Sequence, residues 1–349
     1  MANKWLKQLQ QYDDTVDFEY DSFAPENCLR TPSPYFNWIF ANKSHGIPKN
    51  SSVLMYSEQK SGKSLAIYAL IKQMQEDDKE GIAIYFNTEL RGALQHDAIP
   101  NIDKDRLIIY DTNSPEEIFD RIENDIKPMV QDGMPLRIIA IDSLTKIMGV
   151  KRSAADTVSQ HLMGDHAQTV QNGLDKLIPF CKRNKILLLA TSQVRSNMDA
   201  GPYGPKEKMA ESWNVKHTFE YFLSLKRAGS ADDKQDIEGK TFEEDGVQDA
   251  RGNGSVTGHK VYVKCEANSI GTAGRAGVFT IDYKQGMINQ HEEIFFLGKN
   301  TGVITTPNNR TYLFGGRSFN GKKECAMAIK DDSELAKAIL DEVKKLDSK

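Results

Sequence analysis

Short, continuous apolar runs recur along the first half of the chain, at residues 52–56, 81–87, 106–110, 136–142 and 185–191. Each reads as a strand buried on both faces. Between them lie stretches with helical spacing, at 65–71, from Pro115 to about Gln131, and at 165–183. The second of these opens with Ser114 as N-cap, proline at the first helical position and acids in the first turn. Buried strands alternating with helices predict an α/β fold, a mainly parallel sheet covered on both faces. Upstream, residues 3–12 are amphipathic and read as a short helix. Residues 15–23 alternate apolar and acidic at strand period. Such a strand needs a sheet to join, either its own or the edge of a neighbouring subunit. Residues 31–50 hold three prolines and read as an irregular lead-in. Downstream, 218–225 and 259–264 are expected to pair antiparallel, with 278–283 following. The charged, glycine-rich stretch 229–256 between them reads as a surface excursion. From about residue 290 a small α+β unit follows, ending in a helix from Ser333 to Leu346 capped by Ser333 and Glu334.

The first strand runs into Ser57-Glu58-Gln59-Lys60-Ser61-Gly62-Lys63-Ser64-Leu65, and a helix follows at once. Strand, tight loop and helix with Gly-Lys-Ser at the turn form the phosphate-binding loop. Backbone N–H groups at the loop and helix N-terminus make a concave anion site, aided by the helix dipole. Lys63 is expected to reach the β- and γ-phosphates of ATP, and the Ser64 hydroxyl to ligate Mg2+. One position departs from the pattern. Ser57 stands where glycine is usual, and a positive φ there would strain it.

In parallel sheets ligands sit beyond the carboxyl ends of the strands. The second strand leads to Glu89, the 136–142 strand ends at Asp142-Ser143, and the 185–191 strand ends at Ser192-Gln193. Asp142 is expected as a carboxylate on the Mg2+ side. Glu89 is placed to orient or deprotonate the attacking water. Gln193 is placed to sense the γ-phosphate by hydrogen bonding. Any one of these alone is what a solvated strand-end residue looks like. Their convergence with the phosphate loop on one crevice is what carries the reading.

Composition narrows the class. The 349 residues are 39% hydrophobic and 27% charged, with a net charge of −4, which suits a soluble globular chain. No global basic field announces nucleic acid, so a DNA-binding surface must be local. Cys28, Cys181, Cys265 and Cys325 are far apart and read as free thiols of a reducing compartment. No run approaches the ~20 apolar residues that span a bilayer, and no secretory pattern opens the chain. No membrane partner is expected, and the cytoplasm is the expected location.

These motifs, with 86–89, 138–144 and 191–195 in matching order and spacing, resemble the RecA recombinase family, and within it the phage UvsX-like branch. The C-terminal stretches 296–304 and 312–316 and the last helix extend the resemblance over nearly the whole chain from about residue 28. It implies a RecA-like phosphate-loop ATPase core over 31–289, an N-terminal oligomerisation segment at 1–30 and a small C-terminal domain at 290–349. It implies a DNA-dependent ATPase using ATP and Mg2+. The protein would form a helical filament on single-stranded DNA and exchange strands with homologous double-stranded DNA. Single-strand-binding and loading proteins are the implied accessory partners. Two DNA-binding loops are implied. One spans about 148–164 with Lys151 and Arg152. The other spans about 195–214 with Arg195, Tyr203, Lys206 and Lys208. In the latter, Gly201-Pro202-Tyr203-Gly204-Pro205 offers an aromatic for stacking beside lysines for phosphate.

The resemblance also places His96 where the family stacks an aromatic on adenine, and Lys264 where a basic residue reaches the neighbour's ATP. Glu266 stands where a second lysine is common, with Arg275 as the candidate substitute. His161 and His166 lack partners at metal spacing and read as structural or DNA-proximal. Two alternatives stay open: a RecA-fold DNA-binding scaffold with weak ATPase, suggested by Ser57 and Glu266, and a hexameric replicative helicase on the same core.

Overall fold

The computed structural model describes residues 20–90, 102–148, 165–197, 207–211, 213–228, 236–238, 243–248, 254–288 and 290–347. The expected alternation is present. Strands β1 (Ser52–Ser57), β2 (Ile82–Asn87), β3 (Leu107–Asp111), β4 (Leu136–Asp142) and β5 (Leu187–Ser196) come first. They are followed by β6 (Glu207–Met209), β7 (Tyr221–Arg227), β8 (Gly258–Asn268), β9 (Ala276–Asp282) and β10 (Gly286–Ile288). These make one 10-stranded sheet in the order β10-β9-β8-β7-β1-β5-β4-β2-β3, with β6 attached to β5. From β7 to β3 the neighbours run parallel, whereas β7 to β10 form an antiparallel meander.

Strand periodicity divides the core into two layers. Val53, Met55, Ala83, Tyr85, Ile138 and Ala140 face helix α1 (Lys63–Asp77), which contributes Ala66, Ile67, Leu70, Ile71 and Met74. Leu54, Ile84, Phe86, Ile139 and Ile141 face the other way, onto helix α2 (116–131) and helix α3 (Asp165–Arg183). α2 starts as its sequence predicts, with the Ser114 hydroxyl accepting from the Glu117 N–H at 3.3 Å. The thiols of Cys28, Cys181, Cys265 and Cys325 are free and buried.

Several elements differ from expectation. The 31–50 lead-in contains a helix, Pro34–Trp38, capped by Ser33. Residues 213–218 are helical (α4, Trp213–Thr218), so β7 begins only at Tyr221. The 229–256 excursion carries an antiparallel hairpin, Glu243–Gln248 with Gly254–Val256. The alternating stretch 15–23 falls mostly outside the described residues, as does 3–12. Its described end, around Ser22 and Phe23, lies in a turn.

The C-terminal unit comprises α5 (Gln290–Asn300), the hairpin β11 (Thr311–Phe314) with β12 (Arg317–Asn320), α6 (Lys322–Asp331) and α7 (Ser333–Leu346). It has its own apolar cluster around Phe295, Ile304, Cys325, Ile329 and Ile339. The N-cap of α7 is Asp332 rather than Ser333, its side chain accepting from the Leu335 N–H. Polar contacts fasten this unit to the core. Glu293 is fully buried and accepts from the Ser33 hydroxyl and the Tyr35 N–H. Burial holds its carboxyl well above the usual range. Lys260 on β8 pairs with Glu292 at 2.7 Å, with 10% and 7% of the side chains exposed. Arg275 and His45 both bind Asp347 beyond the end of α7.

Removing one partner of a buried ion pair leaves a lone charge in a poor solvent, at a cost of about 3–5 kcal/mol. Lys260→Met should therefore lower the unfolding free energy by about that amount in urea melts. The double variant Lys260→Met/Glu292→Leu should recover most of the loss. A single variant that melts like the parent would remove the Lys260–Glu292 pair from the contacts that hold the C-terminal unit.

Candidate nucleotide site

β1 lies in the middle of the sheet, so its carboxyl end opens into the interior rather than at an edge. The chain turns through residues 58–61 and enters α1 at Lys63. The residues of left-handed φ in this turn are Lys60 (62°) and Gly62 (95°), not Ser57. The strain expected at Ser57 therefore does not arise, because the turn is made further along. Gly62 suits this turn because its φ of 95° strains any residue with a Cβ, and an added Cβ would also have to displace the Ile281 side-chain tip, 2.6 Å away. The N-cap residue Gly62 offers no side-chain cap to α1, which suits its first N–H groups to serve the cleft as an anion cradle.

Lys63 is buried and curls back over the loop. Its Nζ donates to Ser57 Oγ (2.7 Å), Glu58 O (2.9 Å) and Ser57 O (3.1 Å). Burial lowers its pKa from the ordinary lysine value, against the pull of the Asp142 and Glu89 charges. Ser57 thus supplies a hydroxyl to the lysine, which glycine could not.

Asp142 ends β4 and is the meeting point of the site. One carboxylate oxygen accepts from Ser64 Oγ (2.5 Å) and Tyr85 OH (2.6 Å), and the other from the Thr191 hydroxyl. Ser64 and Asp142 offer hard oxygen donors side by side. That set fits Mg2+, which takes few protein ligands and keeps several waters. Among the described residues no cluster of His, Cys, Asp or Glu forms a metal site by itself.

Glu89 follows β2 by two residues, and the loop carrying it is stitched to the end of β4. Thr88 N–H donates to Asp142 O (2.9 Å), and Thr88 Oγ1 donates to Ser143 O and accepts from Ser143 N–H, both at 2.6 Å. Gln193 Nε2 donates to Glu89 Oε1 at 2.6 Å. The structure thus brings together Ser57, Lys63, Ser64, Asp142, Glu89 and Gln193. A cleft of about 350 Å3 opens here, lined by Lys63, Ser64, Glu89 and Asp142 with Gln59, Lys60, Gly62 and Leu65, while Ser57 and Gln193 meet it through their bonds to Lys63 and Glu89.

Arg227, His259 and Tyr283 line the same cleft and were not foreseen. They come from β7, β8 and the turn after β9. The His259 ring lies 3.1 Å from Tyr283 OH, and burial, with the Arg227 charge, pushes its pKa down to about 4. No local motif marks them. The signal was the predicted pairing of 218–225 with 259–264, which carries β8 toward the phosphate loop once β7 pairs with β1.

Other expected residues lie elsewhere. Lys264 on β8, expected at a neighbouring subunit's nucleotide rather than in this cleft, pairs with Glu266 at 2.8 Å. Arg275 does not substitute for a second lysine, because it binds Asp347 and stacks on Trp38. Arg195 does not open a loop. β5 continues to Ser196, and Arg195 is paired in register with Lys208 of β6. His166 faces Leu144 O at 3.0 Å, a structural contact. His96, Lys151, Arg152, His161, Tyr203 and Lys206 lie outside the described residues.

Fold and site together define a phosphate-loop α/β protein. No family model matches the chain. It is, however, similar to proteins named RecA. One from Mesomycoplasma hyopneumoniae strain J is 20% identical over 298 residues, covering 85% of this chain and 80% of the relative. Another from Methylococcus capsulatus is 22% identical over 295 residues, 84% of this chain and 76% of the relative. A third from Ureaplasma parvum is 26% identical over 173 residues, about half of each chain. The fold is accordingly that of a RecA-like core. Among the described residues no helix is long and apolar enough to cross a membrane.

The Asp142 contacts generate a stability test. Tyr85 is fully buried and its hydroxyl serves the carboxylate. Tyr85→Phe should cost about 1.5–3 kcal/mol, the range for a bond to a charged group, measured by urea denaturation. A loss under a few tenths would mean that Asp142 does not depend on this donor.

Proposed function

We propose that this chain is a RecA-family recombinase, and more narrowly one of the phage UvsX-like branch. It binds ATP with Mg2+ in the cleft above Lys63, assembles as a helical filament on single-stranded DNA, and pairs that strand with homologous duplex. The observation that carries the nucleotide reading is the convergence of Lys63, the Ser64–Asp142 contact and the Gln193–Glu89 bond under one cleft. The distant similarity to RecA proteins over most of the chain supports the recombinase.

Each group has a proposed role. Residues 57–65 cradle the phosphates, with Lys63 swinging from the loop carbonyls to the β- and γ-phosphates. Ser64 and Asp142 would hold Mg2+, whose charge neutralises the phosphate oxygens. Glu89 orients or deprotonates the attacking water, and Gln193 exchanges its bond to Glu89 for one to the γ-phosphate. His96 and Lys264 remain proposed nucleotide contacts, Lys264 across a subunit interface. Lys151, Arg152, Arg195, Tyr203, Lys206 and Lys208 are the proposed DNA contacts. The division at about residues 30 and 289, the accessory single-strand-binding and loading proteins, and a cytoplasmic setting belong to the same proposal. A weakly hydrolysing scaffold loses one of its supports, since Ser57 is unstrained and bonds Lys63.

Electron microscopy with single-stranded DNA and a non-hydrolysable ATP analogue tests the whole. Open helical filaments are expected, and closed rings that unwind duplex would favour the helicase instead. For the chemistry, Lys63→Ala should weaken phosphate binding by about 2–4 kcal/mol and abolish turnover with the fold retained. Glu89→Gln should bind ATP, form filaments and fail to hydrolyse, so that the filaments persist. Loss of nucleotide binding in Glu89→Gln equal to that in Lys63→Ala would make Glu89 a structural or metal-binding group.

A further inference from the structure

Behind Gln193 lies a second buried carboxylate that the proposed chemistry does not use. Glu211 is only 5% exposed. Its Oε1 accepts from Thr145 Oγ1 at 2.9 Å, with Ser192 Oγ at 3.5 Å. Its Oε2 is buried and without a partner among the described residues. Burial pushes the carboxyl above the ordinary range, opposed by the charge of His166, by the Thr145 and Ser192 hydroxyls, and by Arg195.

The contacts form a continuous path. The Thr145 hydroxyl that donates to Glu211 also accepts the Gln193 N–H, at 3.1 Å. The Gln193 carbonyl accepts from Ala210 N–H, next to Glu211, at 2.8 Å. The Gln193 side chain reaches Glu89 in the nucleotide cleft. Just beyond, Val194, Arg195 and Ser196 pair with Met209, Lys208 and Glu207, so both strands of the β5–β6 ribbon leave from this knot. A side-chain movement at Gln193 therefore cannot shift its backbone without disturbing Thr145 and residues 210–211.

We propose that Glu211 is a positioning residue that, through Thr145, couples the state of Gln193 in the cleft to the β5–β6 ribbon bearing Arg195 and Lys208. A coupling device needs two arrangements of one element, with the ligand preferring one of them. The orphaned Oε2 gives the knot a reason to have two, since a buried polar atom left unmatched in one arrangement, oxygen or amide nitrogen alike, gains by finding a partner in another. The inference rests on the cleft being a nucleotide site.

The test is hydrogen exchange of the ribbon amides in the full chain, with and without a slowly hydrolysed ATP analogue, in the parent, Glu211→Ala, Glu211→Gln and Thr145→Val. In the parent the analogue should slow ribbon exchange by about fivefold or more, the low end of typical coupling. In Glu211→Ala and Thr145→Val that effect should largely vanish, while the analogue's Kd stays within about threefold of the parent's, less than typical coupling. Glu211→Gln keeps an oxygen for Thr145 and should restore the effect, which a merely structural loss of stability would not do. A full nucleotide response in Glu211→Ala overturns the inference, as does equal loss in the Gln and Ala variants. If the analogue binds none of the proteins, the nucleotide reading fails and the ligand-free proteins decide the coupling. Ribbon exchange in Gln193→Ala, Glu211→Ala and the double variant must then be non-additive, and additivity overturns it.

Discussion

Asp142 accepts hydrogen bonds from three hydroxyls, and each comes from a different element. Ser64 belongs to the first turn of α1, Tyr85 to β2 and Thr191 to β5. A buried carboxylate is tolerated only when its oxygens are matched by donors. Satisfying Asp142 therefore fixes the helix that follows the phosphate loop against the strands on which the rest of the cleft is built. The same strand end anchors the loop of Glu89 through Thr88. The geometry of the site is thus a consequence of solvating one charge with protein hydroxyls.

This explains which parts of the molecule could be read in advance. Continuous apolar strands ending in polar residues are local signals, and a parallel sheet places such ends on one side. Asp142, Glu89 and Gln193 were legible for that reason, and Lys63 and Ser64 from the Gly-Lys-Ser turn after the first strand. Arg227, His259 and Tyr283 were not, because their place depends on β7 pairing with β1, residues far apart in the chain. Arg275 was the candidate substitute for a second lysine, but its partner Asp347 lies 72 residues further along the chain, beyond the last helix. The extension of β5 past Gln193 was hidden likewise. Its antiparallel partner, β6, is supplied by a later segment. At α7 the error was one residue, between adjacent good caps, a distinction that only the backbone angles make.

Gln193 stands between two demands. Its backbone belongs to a buried strand paired with β1 up to Ser57, the first residue of the phosphate loop. Its side chain is bonded to Glu89, which lines the cleft. In water such an exchange of partners would be nearly neutral, as most net hydrogen bonds are worth only about 0.5–1.5 kcal/mol. Against the phosphate that the proposed function places in the cleft, a charge-assisted bond would be roughly twice as strong. The difference is of the order that separates two conformers populated within tenfold of each other, about 1.4 kcal/mol. A small preference at one amide can therefore bias the arrangement of the strand behind it, provided that strand is held at discrete points rather than by a smooth apolar surface. Around Gln193 the holding points are the Thr145 hydroxyl, the Ala210 amide and Glu211, all polar and all directional. Directional contacts hold one geometry well and its neighbours poorly, so displacement at this strand end is expected in steps, with the β5–β6 ribbon moving as the unit they release.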